Sequence, residues 1–126
     1  MRTHLVLIFV ISITFNRCAS QASVCDTTYT VVDEMPMYKS GNSDLIRDIR
    51  ENFKFDKNCK PEELRQLIWT IDEKGKVVNI DVVGLEGDCK NNITKQAKLL
   101  TDWRAGKLQG KPVCTKITIP IHIRPD

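Results

Sequence analysis

Near its carboxyl end the chain reads VCTKITIPIHI over residues 113–123, and this run constrains the fold more than any other stretch. Val113, Thr115, Ile117, Ile119, Ile121 and Ile123 point one way along an extended chain, while Cys114, Lys116, Thr118, Pro120, His122 and Arg124 point the other. Side chains of a strand alternate between its two faces, so this run predicts one buried face and one wet face. Pro120 adds a second constraint. A proline has no N–H to give to a sheet ladder, so it belongs on an edge strand with that side turned outward. The run is therefore expected at the edge of a small sheet, with its isoleucines on the core.

Two further period-two runs precede it. Leu67, Trp69 and Ile71 alternate with polar or smaller residues, as do Val78, Ile80 and Val82, and the short Gly-containing stretch Asp72–Lys76 joins them. That pattern predicts a β-hairpin. Upstream, Leu45, Ile46, Ile49 and Phe53 recur at helical spacing over a charged opposite face. Asn42 or Ser43 offers a natural N-cap for this helix. Residues 57–61 read as a loop. A second helix is predicted from about Lys90 to Arg104, with Ile93, Ala97 and Leu100 on one face and Trp103 closing its end; Gly106 and Gly110 break it. Tyr29–Val32 forms a short strand-like lead, stopped by Met35-Pro36. The expected fold is α+β: a small antiparallel sheet, made of the hairpin plus the C-terminal strand, with two helices packed on one face.

The 126 residues suffice for one domain. The first 22 read as a leader: a basic start, the apolar run Leu5–Ile11, and small residues with cleavage expected after Ser20 or Ala22. That apolar run is about half of the roughly 20 residues a bilayer-spanning helix needs. Residues 23–126 then form the domain, and export to the periplasm is the expected destination. The alternative is a lipoprotein anchored at Cys18, although Arg17 stands where that signal has a small residue. In either case four of the five cysteines remain in the mature chain: Cys25, Cys59, Cys89 and Cys114. An even number in an exported domain predicts two disulfides, with three possible connectivities.

Charge and motif content narrow the function. Setting aside Arg2 and Arg17 from the 19 basic residues leaves 17 against 16 acidic ones, with no basic stripe for nucleic acid. The mature chain has one histidine, His122, and no closely spaced cysteines, so no metal site or other cofactor is expected. No nucleophile is placed beside a base, and an enzyme is not expected. Trp69 and Trp103 read as packing residues, and Glu62-Glu63 and Asp72-Glu73 as solvated loop charges. Asn92-Ile93-Thr94 fits a glycosylation sequon.

Several segments together carry a family likeness. Met35-Pro36 is followed by YKSGNSDLIRDIRENFKF, then by IDEKGKVVNIDVV, then by DWRAGKLQGKPVCTKITIPIHI. In this order they resemble the C-terminal domain of TonB-family proteins, in the form found in the Bacteroidota, over roughly residues 30 to 124. The most specific parts are D-x-x-G-K-V in the hairpin and W-x-x-G-K-x-x-G-K-P-V leading into the isoleucine-rich strand. Two features depart from the family: DKNCKPEELRQLIW lacks the usual Gly-containing entry to the hairpin, and the four cysteines are not a general family feature.

The resemblance implies a binding module. TonB C-terminal domains grip outer-membrane receptors by β-augmentation, in which a receptor peptide adds a strand to the exposed edge of the last strand. Here that edge maps onto Thr115, Lys116, Ile117, Thr118 and Ile119, just before the proline interrupts the row of donors. The implied partners are outer-membrane TonB-dependent receptor-like proteins or other envelope proteins. The Pro-rich spacer and anchor of a transducer are not seen, so a stand-alone exported form is expected. On a bacterial reading the sequon is a chance match. The alternative is a structural domain that forms a homodimer through the same edge. If the last strand runs antiparallel to the first hairpin strand, Cys59 and Cys89 lie at the sheet end opposite the turn. Cys114 then lies nearer the turn, leaving Cys25 as its partner.

Overall fold

The computed structural model describes residues 25–124; the leader, its cleavage positions and Cys18 lie outside the described residues. In chain order the elements are β1 (Met37–Tyr38), α1 (Asn42–Asn52), β2 (Gln66–Ile71), β3 (Val77–Val83), α2 (Gly87–Ala97), β4 (Trp103–Arg104), β5 (Gly106–Leu108), β6 (Lys111–Val113) and β7 (Thr115–Pro120). A 3₁₀ turn at Pro61–Glu63 leads into β2. The main sheet is antiparallel with order β3-β2-β7, and two short ribbons pair β1 with β4 and β5 with β6. The α+β architecture read from the sequence is the one observed.

Register explains the core. Trp69 stands opposite Ile80 on one side and Ile117 on the other, and Leu67 stands between Val82 and Ile119. These cross-strand rows are buried against Leu45 and Ile49 of α1 and Ile93 and Ala97 of α2. Each such aliphatic side chain contributes roughly 1.5–3 kcal/mol on burial. Both tryptophans find partners for their polar ends: Trp69 donates to the Ala97 carbonyl (3.4 Å) and Trp103 to the Leu100 carbonyl (2.8 Å). The two indoles lie 5.4 Å apart, and Tyr38 meets Trp103 edge-on at the same distance. Such aromatic pairs add to the energy of burial alone.

Several elements differ from the sequence expectation. The second helix runs over Gly87–Ala97, not Lys90 to Arg104. Its last turn tightens, with Leu99 and Leu100 donating to the carbonyls three residues back, and Leu99 lies exposed. Trp103 thus closes no helix; it lies in β4, paired with Tyr38. Neither Asn42 nor Ser43 caps α1. Gly41 takes that position without a side-chain bond, and Asp44 in the first turn accepts the Ser40 N–H instead (2.9 Å).

Val78 is exposed rather than inward. The β2–β3 register shifts between Thr70 and Ile71, so that Asn79 pairs with Thr70, Val77 with Ile71, and Val78 bulges out. The terminal run is two strands, not one. β6 folds back on β5 through Gln109-Gly110, both at positive φ (51° and 76°), the mirror-image turn that suits a two-residue hairpin. Asp72 is no solvated loop charge: it is fully buried and accepts the Lys74 and Lys76 N–H groups, each at 2.8 Å, which shapes the β2–β3 turn. Of the lead Tyr29–Val32, only Tyr29 pairs with a strand, and Val31 is 82% exposed.

The four cysteines form two disulfides. Cys25 bridges Cys114 (Cα–Cα 5.9 Å) and Cys59 bridges Cys89 (5.7 Å), the pairs that the antiparallel placement of the last strand implied. That placement is observed, since β7 runs antiparallel to β2.

Candidate partner-binding edge

β7 ends the main sheet, and its backbone groups show which side is outward. Ile121 donates its N–H inward to the Arg65 carbonyl (2.8 Å), whereas Lys116 donates away from β2 to the Tyr29 carbonyl (2.9 Å). Backbone groups alternate in direction residue by residue along a strand in an antiparallel sheet. Lys116, Thr118, Pro120 and His122 therefore present theirs to the outside. Pro120 lacks an N–H where β2 has no use for one.

The five residues singled out from the sequence divide accordingly. Thr115, Ile117 and Ile119 are buried and direct their backbone to β2. Lys116 faces outward, but its N–H is already taken by Tyr29. The Tyr29 N–H donates in turn to the Cys114 carbonyl (2.9 Å), and the Cys25–Cys114 bridge fastens this lead to the strand. Among the described residues, the Thr118 N–H and carbonyl and the Lys116 and Pro120 carbonyls have no hydrogen-bond partner on this side. The open edge is thus shorter than the sequence suggested, and it centres on Thr118.

Two grooves flank that edge. One, of about 750 Å³, lies beside Ile117–Ile119 and is walled by Met35–Met37, by Asn42 at the start of α1, and by Arg104 and Lys107. Its far wall is held by reciprocal bonds between Glu34 and Lys107 (3.1 and 2.8 Å). The other, of about 370 Å³, lies past Pro120 between α1 and residues 120–123. Ile46, Phe53, Phe55 and Ile123 give it an apolar lining, with Arg50 and His122 beside them. Sequence periodicity assigned Ile46 and Phe53 to the core face of α1; Phe53 packs against the core while also lining this groove, whereas Ile46 is 37% exposed at its rim. Phe55, beyond the helix, carried no periodic signal.

A polar cluster fixes α1, the wall common to both grooves. Asp48 accepts from the Tyr38 hydroxyl and the Lys39 ammonium, each at 2.8 Å, tying α1 to β1. The Lys39 bond first, and the Tyr38 bond next, hold the Asp48 carboxyl below the usual carboxylate range. Burial, followed by the bond to Asp48, raises the Tyr38 phenol. Its own bond to Asp48 raises the Lys39 ammonium. These groups tie the helix to β1.

His122 is exposed on the outward side of the strand end, and among the described residues no three His, Cys, Asp or Glu side chains group to hold a metal ion. Asn92 of the sequon is half-buried in α2, and its amide donates to the Lys54 carbonyl (3.3 Å). What the geometry offers is backbone: two outward groups on Thr118 between two grooves. Compared with protein-family models, curated proteins and solved structures, the chain matches none of them.

Proposed function

We propose that this chain is an exported peptide-binding module that takes an extended segment of an outer-membrane transport or receptor protein as an added strand on β7. The observation that carries the reading is the open backbone of Thr118 on an end strand, beside a groove of about 750 Å³. The likeness of the hairpin and terminal segments to TonB C-terminal domains supports the same mode. Two disulfides suit an oxidising compartment outside the cytoplasm. Among the described residues no helix is long and apolar enough to cross a membrane. Each main-chain bond contributes only about 0.5–1.5 kcal/mol net, so a short edge needs the grooves to add affinity.

The alternative, a homodimer through the same edge, fits less well. A two-fold antiparallel pair centred on Thr118 would set Pro120 of one copy against Lys116 of the other. Tyr29 already occupies that outward side of Lys116, so the strand of the second copy would meet it. A peptide that ends before Tyr29 meets no such obstacle.

The test is capture from an outer-membrane extract by the wild-type protein and by Thr118→Pro, which removes one outward N–H and no bond to β2. Recovery of a receptor by the wild type, with loss in the variant, is the expected outcome. Equal recovery by both would overturn strand addition, and a stable dimer by light scattering that excludes peptide would favour self-association.

A further inference from the structure

We infer that the segment docked on β7 alternates apolar with acidic residues, and that the groove between α1 and residues 120–123 selects it. The inference rests on the strand-addition reading and adds the chemistry of the partner. Side chains of an added strand alternate between the two faces of the sheet. Those on the face of Ile117, Ile119, Ile121 and Ile123 enter the space between β7 and α1. There they first meet Met35 and Met37, which are 43% and 42% exposed, and then Ile46, Phe53 and Phe55. A chain whose every second residue is apolar covers these surfaces from water.

The other set of side chains meets positive charge. Arg124 stands exposed on the outer face of the strand end, and Lys116 precedes it on the same face. Arg50 and Lys107 line the two grooves on the opposite face and add to the positive surroundings of the edge. None of Arg50, Lys107, Lys116 and Arg124 has an acidic ion-pair partner among the described residues, and Glu34 is the one acidic residue lining either groove. Opposite charges directly across a strand pair are favourable, and like charges are not. An acidic residue between the apolar ones therefore fits, and a basic one does not.

Length and backbone decide the form of the occupant. Thr118 to Ile123 spans roughly 17 Å at about 3.3 Å per residue, so six or seven extended residues reach from one groove across the other. The open N–H and carbonyl of Thr118 call for a main chain with free groups of its own. A helix, whose internal backbone groups are already paired, has none to give.

The test is selection of a displayed random heptapeptide library on the disulfide-bonded protein, followed by binding of the synthetic consensus peptide. The expected consensus carries Leu, Ile or Phe at alternate positions with Asp or Glu between them. Ile46→Glu, at a side chain 37% exposed on α1, is expected to weaken that peptide by about tenfold or more, with circular dichroism unchanged. Arg50→Glu is expected to weaken it as well. A consensus without alternate apolar residues, one with basic residues between them, or a library that yields no binder overturns the inference. Amide exchange at Thr118 separates the two readings. Protection there with indifference to Ile46→Glu overturns the groove assignment and leaves strand addition standing. Loss of binding in Ile46→Glu without any protection at Thr118 overturns strand addition, and the inference with it.

Discussion

Replacing one disulfide at a time by serines separates what loop length contributes from what packing contributes. Cys25–Cys114 joins residues 89 apart in sequence and Cys59–Cys89 joins residues 30 apart. The chain-entropy relation assigns loops of those lengths roughly 4.6 and 3.7 kcal/mol at 25 °C. On length alone, losing Cys25–Cys114 is the costlier change. The structure argues for the reverse order. Cys25 leads a segment whose first strand contact is the pair of backbone bonds at Tyr29, and Val31 beyond it is 82% exposed. Without the bridge, residues 25–28 fray in the folded protein too, each recovering about 1 kcal/mol of backbone entropy. That recovery offsets most of the entropy gained by the unfolded chain. Cys59 and Cys89 are different. They join the loop after α1 to the first turn of α2, where Cys89 packs against the core, and in the last turn of α2 Gln96 exchanges two bonds of 2.7 Å with the Lys54 backbone. Both ends stay fixed when the bridge is absent. The expected losses are about 3–4 kcal/mol for Cys59→Ser/Cys89→Ser and no more than about 2 kcal/mol for Cys25→Ser/Cys114→Ser. Urea unfolding read by the fluorescence of the buried Trp69 and Trp103 measures both. A loss of 4 kcal/mol or more on removing Cys25–Cys114, exceeding that for Cys59–Cys89, would refute the view of residues 25–30 as a loose strap.

Two more outcomes follow from the fold. Gly84 holds φ at +107°, and a Cβ there would run into the Glu63 carbonyl at the entry to β2; Gly84→Ala is expected to cost about 2–3 kcal/mol, seen as a fall in Tm on the order of 10–20 °C. Asp48 titrates below its unfolded value because of Lys39 and Tyr38, so its contribution is complete above about pH 4 and is lost as acid protonates the folded carboxylate. Stability of Asp48→Asn should fall less steeply than that of the wild type between neutral and acid pH, and parallel slopes would refute this linkage.

The terminal strand and the hairpin were legible because a period of two admits few readings. The isoleucines of β7 and the row Leu67, Trp69, Ile71 are inward where the pattern puts them. Pro120 marked the outward side for a reason that belongs to one residue, its missing N–H. What stayed hidden depended on partners distant in sequence. The spacing Ile93, Ala97, Leu100 continues smoothly to Trp103, and only the pairing of Trp103 with Tyr38 takes it out of the helix. Val78 keeps the alternation on paper, but a bulge opposite Thr70 and Ile71 undoes it. Gln109-Gly110 lacks the Asn-Gly signature of its turn type. At the candidate site, the edge was visible but its length was not. Tyr29 covers Lys116 through a lead held by Cys25–Cys114, and the cysteine count alone left that bridge as one of three schemes. The apolar groove was likewise invisible, because a helix face that packs on the core and one that only borders it share the same period.

The central claim is that the outward amide of Thr118 is the group a partner strand engages. Residue-resolved amide hydrogen exchange, on the free protein and on its complex with a captured receptor, tests it most directly. Slow exchange is expected at Ile117 and Ile119 in both states, with Thr118 fast in the free protein and strongly slowed in the complex. A Thr118 amide already protected in the free protein, or one that stays fast when the receptor is bound, would contradict it.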